Sequence, residues 1–209
     1  MNIAMKIGLL LMATLTTSTQ SEDVVFPPPS MEDVEQLCSP DVRAELLEMV
    51  AIDQRVRKSI QCNGGECSQP ESTDENMPSL AEVDRKNTAR MKQLVSEYGW
   101  LTRSMVGEDG MHAAWLLVQH ADHDVDFQER CLRLMTIYLG SGEISTSDYA
   151  YLTDRVLVNR GQMQVYGTQF WSPNGKLEPR PIKEAAKVDE RRKQMGLNSL
   201  AEYAASLDT

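Results

Sequence analysis

Apolar residues recur every three or four positions through most of the chain after residue 40, which is the period of an amphipathic α-helix. The clearest example is the segment "DVRAELLEMVAIDQRVRKSI". Its apolar stripe consists of Val42, Leu46, Met49, Ile52 and Val56. This segment therefore predicts a long helix with one face buried.

Four more helices of this kind follow, separated by short polar or glycine-containing stretches. Their predicted starts lie near Ser79, Asp109, Asp124 and Thr146. Ser79 is followed three residues later by Glu82, which is the capping-box arrangement that begins a helix. Two shorter helices, "EAAKVDERRKQMG" and "SLAEYAASL", complete the chain.

The hydrophobic pattern changes once, near residues 164–182. "QVYGTQFW" is rich in aromatic and β-branched residues, "SPNG" is typical of a turn, and "KLEPRPI" can return as a strand. Strict alternation would place Gln164, Tyr166 and Thr168 on one side of the first strand. The predicted fold class is therefore mainly α, a compact helical domain with a small β-hairpin or extended arm near residues 164–182.

The sequence divides into three predicted regions. Residues 1–22 combine Lys6 with the short apolar run "IGLLLMATL" and then small polar residues, which predicts a secretory signal peptide. Residues 23–40 include three consecutive prolines and are interpreted as an extended linker. Residues 41–207 are predicted to form a single helical domain, since this length can bury a sizeable core.

The 209 residues carry a formal net charge of −10, and the isoelectric point is about 4.8. Such a chain repels phosphate backbones and anionic lipid surfaces. Neither nucleic acid nor, after removal of the signal peptide, a membrane is expected as a partner. The sequence leaves the oligomeric state open.

Export changes the interpretation of the four cysteines, because disulfides persist in oxidising compartments. Cys62 and Cys67 bracket a Gly-Gly turn in "CNGGEC" and are predicted to form a disulfide. A zinc site is the competing interpretation, but it lacks a second ligand pair. Cys131 lies in a helical pattern and is predicted to be a buried small apolar residue. The pairing of Cys38 stays open.

Five blocks of sequence occur in a characteristic order along the chain. They are "DQRVR", "VDRKNTARMKQLVSEYGW", "VGEDGMHAAWLLVQHADHDVDFQ", "YLTDRVLVNRGQMQVYGTQF" and "VDERRKQMGLNSLAEY". Together they resemble a bacterial family catalogued as domain-of-unknown-function family 6624, over roughly residues 41 to 205. The resemblance implies a compact, mostly helical domain and implies no particular activity. The leader and the Cys62–Cys67 loop depart from the family pattern, as suits an exported member.

Two of the three histidines, His120 and His123, occur in "QHADHD" at the end of an otherwise apolar helix. On an ideal helix His112, Gln119 and His120 fall outside the broad apolar arc. One interpretation is a core helix with a solvated face. The other is a polar functional site at the end of the helix.

A metal site is not expected at these histidines. His112 and His120 are separated by about 12 Å along a helix axis, whereas a shared metal must lie within about 2 Å of both nitrogens. His120 and His123 can share an ion only if the helix continues through Asp122, and the N-cap pattern at Asp124 predicts that it breaks. No phosphate-binding loop occurs, and no cofactor is predicted.

Proton transfer needs only a histidine and a carboxylate that orients it. His120 or His123 is the candidate acid/base group. The candidate carboxylates are Asp122, Asp124 and Asp154. Asp154 and Arg155 also interrupt an apolar helical pattern, and the alternative interpretation is an internal salt bridge between helices.

A row of uncharged polar groups is available to hold a small polar ligand. These groups are Gln119, Gln164, Tyr166 and Gln169. The alternative is that they satisfy neighbouring backbone groups within the hairpin. The functional hypothesis is an exported helical domain with a polar small-molecule pocket and acid/base chemistry at His120. The alternative is a non-catalytic periplasmic or extracellular interaction protein whose polar cluster is structural.

Overall fold

The computed structural model describes residues 40–63, 66–68 and 78–207 of the chain. The predicted signal peptide, nearly all of the linker and Cys38 lie outside these residues. No helix in the described ranges is both long enough and apolar enough to cross a bilayer.

Helices dominate the described residues, as the hydrophobic period predicts. The α-helices are α1 (Pro40–Ser59), α2 (Leu80–Tyr98), α3 (Arg103–Gln119), α4 (Val125–Thr136), α5 (Thr146–Asn159), α6 (Val188–Gln194) and α7 (Leu200–Leu207), and a 3₁₀ turn covers Ala185–Lys187. The predicted capping box of α2 is present, since Ser79 and Glu82 bond each other's backbone N–H groups. The mainly α fold class is thus confirmed.

The core lies between α1, α2, α3, α4 and α5. Its fully buried side chains include Leu46, Leu94, Leu117, Met135 and Leu152. Cys131 on α4 is also fully buried, as its helical pattern predicts. These side chains come from all five helices, so the core fixes how the helix ends meet.

Helix α3 contains a kink that the sequence prediction only partly captured. Gly107 has φ +74° and ψ 173°, so a short first segment from Arg103 is followed by a second segment that begins near the predicted Asp109. A positive φ is readily adopted by glycine. The kink divides α3 and directs its main segment through the core.

Two short antiparallel hairpins accompany the helices. The first pairs β1 (Gln61–Asn63) with β2 (Glu66–Ser68), and the second pairs β3 (Phe170–Trp171) with β4 (Glu178–Pro179). The second hairpin confirms the small hairpin predicted near residues 164–182. A parallel bridge between Gln164 and Ile182 closes its base.

Two details of the sequence prediction are wrong. Ile52 was placed on the apolar face of α1, but it is exposed, and Asp53 occupies the buried position. The segment before β3 does not alternate as a strand, because Gln164, Gly167 and Thr168 are all buried. It instead bends around a carboxylate of α5.

Candidate functional site

The predicted site residues fall into two separate groups. His120, Asp122 and His123 line a partly open cleft of about 270 Å³, together with Arg57 and Asp84. The second group is Asp154 of α5 and the arm at residues 164–169, which are hydrogen-bonded to each other. Asp154 thus lies with the arm, whereas His120 forms its contacts with other residues.

The end of α3 places His120 at the cleft. The helix ends at Gln119, and His120 is its C-cap, donating its backbone N–H to the carbonyl of Leu116. Asp124 is the N-cap of α4 and accepts a bond from the N–H of Phe127, as predicted. The helix therefore breaks between His120 and His123. Within the described residues no cluster of three or more metal-ligating side chains is present.

His120 is oriented by Asp53 of α1. Its Nδ1 lies 2.9 Å from Asp53 Oδ2, and the carboxylate is fully buried while the imidazole is 16% exposed. Gln54 Nε2 donates to the same carboxylate at 2.9 Å. A buried carboxylate behind a partly exposed imidazole is the arrangement that orients a general base.

Asp53 and Arg57 both contact Nδ1 of His120, and the Asp53 contact decides which tautomer is favoured. Arg57 Nε is placed to donate to the two oxygens of Asp53, at 3.1 and 3.2 Å, and also to His120 Nδ1, at 3.0 Å. Arg57 Nε carries one hydrogen, and an ionised carboxylate is a stronger acceptor than an imidazole nitrogen, so Arg57 donates to Asp53. A bare Nδ1 would place its lone pair against Asp53 Oδ2, so the proton of neutral His120 belongs on Nδ1. Nε2 is then the basic atom of the ring, since it carries the free lone pair. No described residue hydrogen-bonds to Nε2.

Arg57 also joins the two carboxylates of the site, because its Nη2 donates to Asp84 of α2. Burial raises the pKa of Asp53, but the hydrogen bonds and charges of His120 and Arg57 outweigh burial and hold that pKa below its usual value. For Asp84, burial prevails, and its pKa is raised even though Arg57 acts in the opposite direction. Asp53 is therefore the ionised partner of His120, and Asp84 is the carboxyl more easily protonated.

Asp122 is held by two residues of α5. It accepts hydrogen bonds from Arg155 Nε at 2.7 Å and from Asn159 Nδ2 at 3.0 Å, both on α5. Burial raises the pKa of Asp122, but Arg155 and Asn159 outweigh it and lower that pKa overall. The salt bridge proposed for Arg155 is thus present, with Asp122 rather than Asp154 as the partner, and it ties the turn after α3 to α5.

Asp154 is fully buried and holds the arm through backbone groups. Its carboxylate accepts from the N–H groups of Val165 at 2.7 Å, Tyr166 at 3.0 Å and Thr168 at 2.9 Å, and from the Thr168 hydroxyl at 3.0 Å. Four donors satisfy the carboxylate without a cationic partner. Asp154 is therefore an anchor for the arm. Both of its carboxylate oxygens accept hydrogen bonds from the arm, so neither is free for the catalytic role predicted for Asp154.

The predicted ligand-binding residues are mostly engaged within the protein. Gln164 is fully buried and donates to the carbonyls of Gln169 and Arg180, while its Oε1 accepts from the Gln169 N–H. Tyr166 gives its N–H to Asp154, and burial raises the pKa of its phenol. Gln119 is buried at the end of α3. These residues build the arm and the core rather than the His120 cleft.

Sequence reasoning missed Asp53, Arg57, Asp84 and Arg85, the last of which also lines the cleft. One signal was available for Asp53. The buried positions of α1 are 42, 46, 53 and 56, which lie at helical spacing with the half-buried Met49 between them, and residue 53 is the single charged position in this row. A carboxylate on an apolar face is costly unless it has a partner, so its position alone indicates a polar site.

The lowered pKa of Asp53 predicts how stability depends on pH. A carboxyl whose pKa is lower in the folded state stabilises the fold above the unfolded pKa, about 3.9, and this contribution is lost as pH falls through the folded value. Urea unfolding should therefore show a steeper loss of stability below about pH 4 in the wild type than in Asp53→Asn. Equal slopes in the two proteins would contradict the ionised, partnered Asp53.

Residues 40–209 match the sequence model of a protein family described as "Family of unknown function (DUF6624)". No curated protein and no solved structure matches the chain. The matched range includes every side chain of the His120 cleft and of the Asp154 anchor.

Proposed function

The chain belongs to the DUF6624 family, and from the geometry of the His120 cleft we propose that it is an exported acid/base enzyme acting on a small polar ligand. His120 is the proton-transferring group, with Nε2 directed to the ligand. Asp53 orients the ring, and Arg57 fixes the positions of Asp53 and Asp84. The reaction class is proton abstraction from the ligand or activation of a water molecule.

The observation that supports this proposal is the pairing of His120 with a buried, ionised Asp53 beside an open cleft. A purely structural network buries its polar groups and gives each one a partner. The Asp154 anchor matches that description, since its carboxylate is enclosed by donors. The His120 cleft does not, because Nε2 has no bond from any described residue and the imidazole is partly exposed.

The charges along the cleft suit a small ligand with polar groups. Asp122 is neutralised by Arg155, and Arg57 is shared between Asp53 and Asp84. Arg85 and His123 also line the cleft and form no hydrogen bond with a described side chain. These two residues are therefore the groups available to bind the ligand, a role that the sequence had assigned to Gln119, Gln164, Tyr166 and Gln169.

The alternative is a non-catalytic periplasmic or extracellular interaction protein in which the polar clusters are structural. The satisfied Asp154 and Gln164 favour it for the arm. A ligand-dependent thermal-shift screen of small polar compounds separates the two. An enzyme should yield compounds that raise the melting temperature of the wild type by mass action and fail to do so for Arg85→Ala. A screen with no such compound would support the interaction protein.

Export is part of the same proposal. It is supported by the signal-like pattern of residues 1–22 and by the first hairpin, in which Cys62 and Cys67 are directly opposite partners in the antiparallel register. Opposite positions bring the two backbones within the range that a disulfide spans. We infer a Cys62–Cys67 disulfide in the exported protein.

Thiol counting tests the proposed disulfide. In protein recovered from the periplasm, Cys62 and Cys67 should be oxidised under both native and denaturing conditions. Cys131 should react only after denaturation, because it is fully buried and burial raises the pKa of its thiol. Mass spectrometry after alkylation distinguishes these states. Free thiols at positions 62 and 67 in exported protein would rule out the disulfide.

A further inference from the structure

A second histidine–carboxylate pair faces a larger cleft near the other end of α3. His112 Nδ1 lies 3.1 Å from Asp148 Oδ2, and both residues line a cleft of about 900 Å³. Asp148 lies in the first turn of α5 and is buried, whereas the His112 side chain is 56% exposed. Since eight residues separate His112 from His120, about 12 Å along the helix axis, this is a distinct site.

The kink in α3 builds one wall of this cleft around Arg43 of α1. A Cβ at Gly107 would lie 3.2 Å from Asp109 Oδ1 and 3.4 Å from Arg43 Nε, and a Cβ at Gly110 would lie 2.9 Å from Val106 Cβ and 3.3 Å from Arg43 Cγ. Arg43 packs beside both glycines and donates from Nε to Asp109 Oδ1 at 2.9 Å.

Hydrogen-bond donors and acceptors occur in pairs along the cleft. Arg43 is paired with Asp109, Arg103 lies 3.7 Å from Glu108, and His112 is paired with Asp148. Two arginines against three carboxylates leave a formal charge of −1 when the histidine is neutral. The hydroxyls of residues 145–147 add groups that both donate and accept. A strongly anionic ligand is therefore disfavoured here, the more so in a chain of net charge −10.

We propose that this cleft binds a neutral, hydroxyl-rich ligand, a sugar or a short oligosaccharide. Each sugar hydroxyl donates one hydrogen bond and accepts others, and the Arg43–Asp109 pair offers both kinds of partner side by side. The His112 ring stacks on Trp115 with centroids 5.0 Å apart, so it presents a supported flat surface at the rim. The volume lies in the upper part of the range for small-molecule sites.

Ligand titration followed by NMR tests the proposal on the full chain. The probes are cellobiose, maltose and N,N′-diacetylchitobiose, with inorganic phosphate and putrescine as charged comparators. At least one disaccharide should shift the resonances of His112 and Asp109 and leave those of His120 unchanged. Asp109→Asn should weaken this binding at least tenfold. The matched control is Asp126→Asn, which removes another exposed carboxylate paired with an arginine, Arg160, and should bind as the wild type does.

The proposal is overturned if no disaccharide binds at millimolar concentration. It is also overturned if phosphate or putrescine shifts the His112 resonances and the sugars do not, because the ligand chemistry is then wrong. Sugar binding that Asp109→Asn leaves unchanged places the site elsewhere and has the same consequence. Since Asp109 is half exposed, the variant should fold, and its circular dichroism spectrum confirms that it has. These outcomes are independent of the chemistry proposed for His120.

Discussion

The His120→Gln protein is expected to keep its fold and its ligand and to lose turnover by about 10²–10⁴-fold, the usual contribution of a general acid/base group. Glutamine can still hydrogen-bond Asp53 but does not titrate near neutral pH. Asp53 retains Arg57 and Gln54 as partners after the substitution. The free energy of unfolding should therefore fall by no more than about 1 kcal/mol.

The measurement combines three readouts on compounds found by thermal shift. They are the melting temperature, the ligand-induced rise in that temperature, and turnover followed by NMR of the compound. Lys58→Gln, an exposed substitution next to Arg57 on α1, is the control and should match the wild type in all three. If His120→Gln melts far below the wild type and shows no separate loss of turnover, His120 is structural.

Asp154→Asn is expected to reduce the free energy of unfolding by about 2–5 kcal/mol. The substitution keeps the shape of the side chain but turns one acceptor into a donor. It therefore confronts the N–H groups on one of the two oxygens, those of Val165 and Tyr166 or that of Thr168, with another N–H group. Each unsatisfied buried donor costs about 1–3 kcal/mol. That is a large part of the 5–15 kcal/mol that typically holds a domain folded.

Urea unfolding measures the total loss, and hydrogen exchange at residues 165–168 shows where it arises. Protection of those amides should drop more than protection of the α3 core. Asp126→Asn provides the exposed comparison, since its carboxylate is mostly solvated, and it should change stability by less than about 0.5 kcal/mol. A near-wild-type Asp154→Asn protein would mean that other contacts, such as those of Arg192 to the Tyr166 carbonyl, are sufficient to hold the arm.

Local signals in the sequence predicted the local structure well. The capping box at Ser79, the N-cap at Asp124 and the fifth helix from Thr146 all occur where the pattern placed them. Each depends on residues within one or two helical turns of one another. The break after Gln119 followed from the same kind of signal. It was enough to predict correctly that His120 and His123 do not continue one helix.

The partners of His120 were beyond the reach of such signals. Asp53 lies 67 positions before His120 and meets it only because α1 packs against α3 in the core. Sequence reasoning chose Asp122 and Asp154 instead. In the structure Asp122 binds Arg155, and Asp154 binds the arm. Helical period could place Asp53 on the buried face but could not say which group it contacts.

The most direct test of the central claim is the tautomer of His120, measured by ¹⁵N–¹H correlation NMR of the imidazole nitrogens at a pH where the ring is neutral. We expect the proton to reside on Nδ1, held by Asp53, with Nε2 unprotonated and open to the cleft. In Asp53→Asn this preference should weaken, because the ionised acceptor is gone. A neutral His120 protonated on Nε2 in the wild type would contradict the account, since the cleft would then face a donor instead of a base.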